Sequence, residues 1–265
     1  MKTTSVATRF RTNVEKRNVK PGHRQSGFSL LEMLFVVAIL TIVMAVVFNQ
    51  INLVQKRSRA EEMKVDMTQE SREFMDQLVR DIHSIGYPTV SMFQSATTSD
   101  NYVAVGLKKI AADEIWFEGD VDGDGKVDEI DYKLLPGSGG TCPCKLARSQ
   151  YPKELDATKS DAYSTSLENV INSGGGGTGK STGTPKYSIS GSAYSSSGTA
   201  NDTTYSDYKA ANLFTFYDAK GNEVSSASNV KTIQININVL APQADMQTGR
   251  RAVMSYSAAV RMPNQ

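Results

Sequence analysis

From Phe28 to Phe48 the chain contains no Lys, Arg, Asp, Asn, Gln, Gly or Pro, and its single ionisable side chain there is Glu32. At about 1.5 Å of rise per residue, a run of roughly 20 apolar residues forms a helix that spans the hydrocarbon core of a bilayer. A carboxylate inside such a run costs a few kcal/mol, so Glu32 is a candidate functional residue. The simpler reading is a signal anchor that carries one tolerated acid near the headgroups.

Charge sorts around this run. Residues 1–27 hold seven basic side chains (Lys2, Arg9, Arg11, Lys16, Arg17, Lys20, Arg24) against Glu15, a net +6 that leaves −5 of the formal +1 for the remainder. Bases immediately before an apolar span hold that side in the cytoplasm, so the C-terminal bulk is expected outside it. A basic arm also suits nucleic acid. Its place against a span points instead to targeting, and no nucleic-acid partner is expected. No A-x-A cleavage signal follows the apolar run, unlike an ordinary secretory peptide.

Beyond Phe48 the sequence turns polar but keeps a helical period. Met63, Met67, Phe74, Leu78, Ile82 and Ile85 form one stripe, with Arg59, Glu61, Lys64, Glu70, Arg72 and Arg80 on other faces. Gly86-Tyr87-Pro88 supplies a terminating glycine and a proline stop. One helix is therefore predicted from Phe28 to Ile85, about 85 Å long. Its segments are 28–48, apolar, and 49–86, amphipathic with one face on a domain. His83, near its end, reads as a surface or structural histidine.

Residues 87–265 read as a β-rich domain. Predicted strands are Tyr102–Leu107, Glu114–Glu118, Glu129–Leu135, Cys144–Arg148, Leu213–Tyr217, Thr232–Val239 and Arg251–Arg261, and short connections favour antiparallel pairing. Residues 172–209, rich in Gly, Ser, Thr, Asn and Tyr, read as a flexible insert. The expected fold class is α+β, a long N-terminal helix on an antiparallel sheet.

Gly27-Phe28-Ser29-Leu30-Leu31-Glu32 at the head of the apolar run resembles the type III signal of type IV pilins and pseudopilins. The resemblance implies a basic leader, 1–27, cut between Gly27 and Phe28 by a prepilin peptidase. It also implies N-methylation of Phe28, and makes Glu32 the fifth-position glutamate used in assembly. Partners implied are that peptidase, other major and minor pilins met through the helix, and the bacterial inner membrane, before transfer to a pilus or cell surface. Further on, Gly86-Tyr87-Pro88, Phe117-Glu118-Gly119-Asp120, Phe216-Tyr217-Asp218-Ala219-Lys220-Gly221-Asn222 and the closing Val260-Arg261 resemble minor pilins of the PilW type and the related secretion pseudopilin J. These imply a role in priming or tipping a type IV pilus. The alternatives are a minor pseudopilin of a type II secretion system and a membrane-anchored, calcium-responsive adhesion domain.

Three local motifs bear chemistry. Asp120, Asp122, Asp124 and Asp128, with Lys126 offering its carbonyl and Asp131 in the twelfth place, follow the spacing of an EF-hand oxygen cage and suggest Ca²⁺. Flanking strands rather than helices, and the shortness of Asp131, depart from that pattern, and Asp-Gly pairs also make plain turns. Cys142-Pro143-Cys144 lacks the second ligand pair of a zinc site. It is read as a disulfide of an oxidising compartment, within the chain or between chains. Gly174–Ser181 spells a P-loop but leads into Thr182-Gly183-Thr184-Pro185, which starts no helix to aim amides at a phosphate. With only His23 and His83 and no nucleophile-base constellation, no enzymatic activity is expected.

Overall fold

The computed structural model describes residues 27–137, 140–153, 162–172, 188–189, 211–245 and 250–262. Residues 1–26 of the leader, with His23, and most of the 172–209 insert, including Gly174–Ser181, lie outside the described residues. The chain divides into two units, Met1–Asn52 and Leu53–Gln265. A single α-helix, α1 (Leu30–His83), begins in the first and ends in the second.

In the first unit every residue from Phe28 to Phe48 is exposed. A helix apolar on all sides has no polar face to give to water, which suits a bilayer or a bundle of like helices. α1 is long and apolar enough here to cross a membrane.

The second unit is built on the predicted stripe. Met67, Phe74, Leu78, Ile82 and the following Ile85 are buried, Met63 is half-buried, and Met75 joins them. Burying each such side chain contributes about 1.5–3 kcal/mol. The helix ends as its sequence predicts: Ser84, Ile85 and Tyr87 amides turn back onto Asp81, Ile82 and Ser84 carbonyls, and Gly86 adopts φ +73°. Gly86 N then donates to Glu118 O at 3.0 Å, tying the helix exit to the sheet. Gly119 lies so close to the helix end that a Cβ there would collide with the Ser84 carbonyl and meet its Oγ at 2.7 Å.

Among the described residues there are nine strands: β1 (Leu107–Ala111), β2 (Glu114–Gly119), β3 (Asp128–Gly137), β4 (Thr141–Pro152), β5 (Ser164–Val170), β6 (Ser188–Ile189), β7 (Phe214–Tyr217), β8 (Thr232–Leu240) and β9 (Val253–Arg261). They form one sheet in the order β1-β2-β3-β4-β5-β8-β7, with β9 on β8 and β6 on β4. The pairings are antiparallel except the two-residue β4–β6 contact, which is parallel. The sheet curls, because Leu213 and Phe214 amides of the β7 end reach Ala112 O in the β1–β2 turn. Together α1 and this antiparallel sheet make an α+β, pilin-like fold.

One expectation needs correction and one strand adds to the expected set. Tyr102–Leu107 is not a strand apart from its last residue. The amides of Val103, Ala104 and Val105 go to Asp100 O, Pro88 O and the Glu118 carboxylate, and Gly106 (φ +97°) breaks the run. The strand starts at Leu107, where a register shift between Leu107 and Lys109 breaks the alternation that would have disclosed it. β5 was not expected from the sequence at all.

One face of β2 and β3 carries Ile115, Phe117, Ile130, Tyr132 and Leu134 into the core against α1, with Phe74 edge-on to Tyr132 at 5.8 Å between centroids. The opposite face is charged and still buried. Glu118 and Glu129 share Lys108 (3.5 and 2.7 Å), and Glu118 also meets Lys153 at 3.0 Å. Trp116 Nε1 and Tyr151 Oη donate to Glu129 Oε2 at 3.0 and 2.9 Å. Lys153 Nζ continues to the carbonyls of Thr98 and Val103, which fastens the segment after α1 over this face.

Candidate functional site

The acidic loop is the turn between β2 and β3. Gly123 (φ +77°) and Gly125 (φ +84°) take left-handed conformations that let the chain reverse within a few residues. The carboxylates organise the turn by accepting its amides. Asp120 takes Gly123 N and Gly125 N (2.7 and 3.1 Å), Asp122 takes Asp124 N (3.1 Å), and Asp124 takes Lys126 N (2.8 Å). Asp120, Asp122 and Asp124 place carboxylate oxygens within 4.8 Å of one another.

The other two predicted carboxylates are placed differently. Asp128 opens β3, is buried, and accepts Gln150 Nε2 at 2.6 Å. Burial raises its pKa, the Gln150 hydrogen bond opposes this, and the charges of Asp122, Asp124 and Asp120 raise it further. Asp131 is not brought to the loop. It is fully buried within β3, opposite Trp116 and Ser149, and accepts a hydrogen bond from Tyr163 Oη. The reason is the strand that replaces the expected helix. Three residues beyond Asp128 lie about 10 Å along a strand and on its other face. Lys126 is exposed at the turn, where its carbonyl remains the candidate seventh-position oxygen.

A second polar cluster was missed by sequence reading. Asp81, buried on α1, accepts Tyr132 Oη at 2.7 Å and Arg148 Nε at 2.8 Å, and Arg148 Nε also reaches Tyr132 Oη at 3.1 Å. Burial, then the Asp81 charge, push the Tyr132 phenol far above its ordinary range. Arg148 Nη1 donates to Gln150 Oε1 at 2.7 Å, so a continuous chain of polar contacts joins Asp81 to Asp128 beside the acidic turn. Sequence did hold a signal: Asp81 falls seven residues after Phe74 and three after Leu78, on the apolar stripe itself.

Cys142 and Cys144 are joined in a disulfide within the chain, both fully buried. Their buried place beside Leu146 and Val170 makes this a feature of the core. His83 is exposed at the end of α1.

At the other end of α1, Gly27 to Ser29 precede the helix, which starts at Leu30. The Ser29 carbonyl accepts the amides of Glu32 and Met33 at 3.0 and 3.2 Å. Glu32 thus lies in the first turn, where the helix dipole favours an anion. Phe28 is 78% exposed, and among the described residues nothing stands within 4 Å of the place a Gly27 side chain would occupy, so no described residue covers the peptide bond between them. Residues 22–48 match the family described as the prokaryotic N-terminal methylation motif. The chain carries a type IV prepilin signal.

No curated protein and no solved structure matches the chain. The prepilin signal supports a type IV pilin-like or pseudopilin-like protein and implies processing by a prepilin peptidase and association with other pilins. The apolar segment that follows the signal is the part of α1 suited to anchor it in a membrane.

Proposed function

We propose that the chain is a minor pilin, a structural subunit rather than an enzyme, that takes part in priming or tipping a type IV pilus. The observation that carries this reading is the open Gly27–Phe28 junction with Glu32 in the first turn of an apolar helix. The leader stays on the cytoplasmic side and the sheet domain lies outside. After cleavage the helix leaves the inner membrane and packs among equivalent helices. The minor role is supported by the order of the PilW-like words through the domain, from Gly86-Tyr87-Pro88 to Val260-Arg261. Deleting the gene tests it: surface filaments are lost while protein secretion continues. Lost secretion with intact filaments would instead make the chain a type II secretion pseudopilin.

Glu32 has a separate outcome. A carboxylate in an apolar environment needs a positive partner, and the methylated amine of a neighbouring subunit's first residue can provide one. Glu32→Ala makes the span more apolar, so the variant is expected to insert and to be cleaved after Gly27. Its incorporation into filaments should fall by about a hundredfold or more, the scale of breaking one buried ion pair. Immunoblotting of sheared filaments against whole cells reads both effects, and wild-type incorporation would remove Glu32 from assembly.

The acidic turn is proposed to hold Ca²⁺ through Asp120, Asp122 and Asp124, the Lys126 carbonyl and, where it rotates away from Gln150, Asp128. This rests on the ligand spacing in the sequence, and the convergence of three carboxylates is a condition the turn meets. An ion would relieve their mutual repulsion and brace β2 against β3. Binding to the folded state alone adds about 2.7 kcal/mol at a hundredfold excess over Kd. The full-length chain in detergent should melt higher in millimolar Ca²⁺ than in chelator, and Asp122→Ala with Asp124→Ala should erase the difference. An identical melting point in both buffers would leave the turn a plain acidic hairpin.

A further inference from the structure

Two peptide bonds in the turn between β2 and β3 carry a covalent chemistry that is separate from ion binding. The chain has two Asp-Gly pairs, Asp122-Gly123 and Asp124-Gly125, and no Asn-Gly pair. All four residues are exposed. An aspartyl side chain can close on the amide nitrogen of the residue that follows it. The nitrogen loses its proton and bonds to the carboxyl carbon, the carboxyl loses its hydroxyl, and one water leaves behind a five-membered imide. Water then reopens either carbonyl of the ring. One product is the original aspartate. The other is isoaspartate, in which the main chain runs through the former side chain and is one carbon longer.

Glycine hinders this closure least, because it brings no Cβ against the forming ring and has the freest backbone. A Cβ built at Gly123 or Gly125 would meet nothing within 4 Å among the described residues, so their surroundings add no steric barrier. The barrier lies in hydrogen bonds. Gly123 N donates to Asp120 Oδ1 at 2.7 Å and Gly125 N donates to Asp120 Oδ2 at 3.1 Å, so one carboxylate holds both attacking nitrogens. Each nitrogen must give up its proton to react, and a negative charge beside it disfavours the anion that results. The carboxylates to be attacked are turned one residue too far along the chain. Asp122 Oδ1 accepts Asp124 N and Asp124 Oδ1 accepts Lys126 N, at 3.1 and 2.8 Å.

We propose that Asp122-Gly123 and Asp124-Gly125 are latent isoaspartate sites and that Asp120 is the residue that holds both closed. Asp120 is not itself such a site, because the β-branched Val121 follows it and crowds the ring. The turn thus keeps the conformational freedom of two glycines and suppresses the side reaction that comes with it.

The test follows isoaspartate at each position in the full-length chain in detergent at neutral pH. Chelator is present throughout, so the outcome is independent of whether the turn holds Ca²⁺. Fragmentation mass spectrometry of digests distinguishes isoaspartate from aspartate, and a free peptide of residues 119–128 gives the unrestrained rate. The wild-type chain should react about tenfold or more slowly than the peptide at both positions, the scale of one hydrogen bond to a charged acceptor. Asp120→Ala frees both nitrogens and should speed both positions by a similar factor. Asp120→Asn keeps one acceptor oxygen, which stays with Gly123 because that bond is the shorter, and turns its NH₂ toward Gly125. It should speed Asp124 alone, whereas a general loosening of the turn would speed both alike. Asp120→Asn preserves the side-chain shape and decides the matter if Asp120→Ala does not fold. Equal acceleration of both positions in Asp120→Asn overturns the assignment to Asp120, as does an Asp120→Ala chain that folds and reacts no faster than the wild type. A wild-type chain that reacts as fast as the peptide overturns the restraint altogether.

Discussion

With aspartate in place of Gly27, the chain is expected to keep its leader. No atom of the described residues lies within 4 Å of where the new side chain would begin, so the substitution creates no clash with them. Whatever it disturbs is the fit of the scissile bond into a peptidase. There a side chain must be accommodated where glycine had none, and a carboxylate must be desolvated beside the bond to be cut, at a cost of several kcal/mol. Even about 4 kcal/mol lowers a rate roughly a thousandfold, so cleavage should be absent on the time scale of growth. Intact-mass measurement of the membrane fraction is expected to find a chain starting at Met1, against N-methylated Phe28 in the wild type. A mature chain starting at Phe28 in the variant would place specificity elsewhere in the signal.

The second large effect is expected at Arg148. Its guanidinium meets Asp81 at 2.8 Å, with both side chains mostly buried. Arg148→Met keeps much of the side-chain volume but leaves the buried Asp81 carboxylate without its cationic partner, with only the Tyr132 hydroxyl to hold it. Removing one partner of a buried pair costs about 3–5 kcal/mol. In a domain of this size that lowers the melting point by on the order of 10 °C. Asp81→Leu combined with Arg148→Met should recover most of the loss, because two apolar side chains leave no unpaired charge. Thermal unfolding of both variants, full length in detergent, measures this. A single variant as stable as the wild type would mean that Asp81 and Arg148 are not coupled in the fold.

Most of what organises this protein was legible because it depends on local chemistry. The apolar run, the Gly27-Phe28 junction and the stripe ending at Ile85 are fixed by hydropathy and period, and Gly86 ends the helix for the reason a glycine can. β2, β3 and β8 alternate cleanly and were read nearly to the residue. What escaped depends on pairing. β5 buries Leu167 and Val170, three residues apart, and Asn169 turns to φ +57° between them. Its partner β4 carries register shifts on both sides of Leu146, so neither strand shows an unbroken period of two. The acidic turn was legible as a loop, but its ligand set was not. Asp131 counts correctly along a calcium loop, and it is lost to the turn because a strand advances and alternates where a helix would wind back.

The contacts of Asp81 also bear on how the domain withstands pulling. Under the pilin-like reading proposed above, tension on the N-terminal segment would reach the sheet through α1. Met67, Phe74, Leu78 and Ile82 lie in one row, so they resist together rather than peeling away one at a time. The Asp81 carboxylate adds a cross-tie to β3 through Tyr132 and to β4 through Arg148. Gly119, seated against Ser84 with no room for a methyl group, acts as a stop just beyond it. The end of α1 farthest from such a pull is thus the end tied to β3 and β4 through Asp81 and packed against Gly119 of β2.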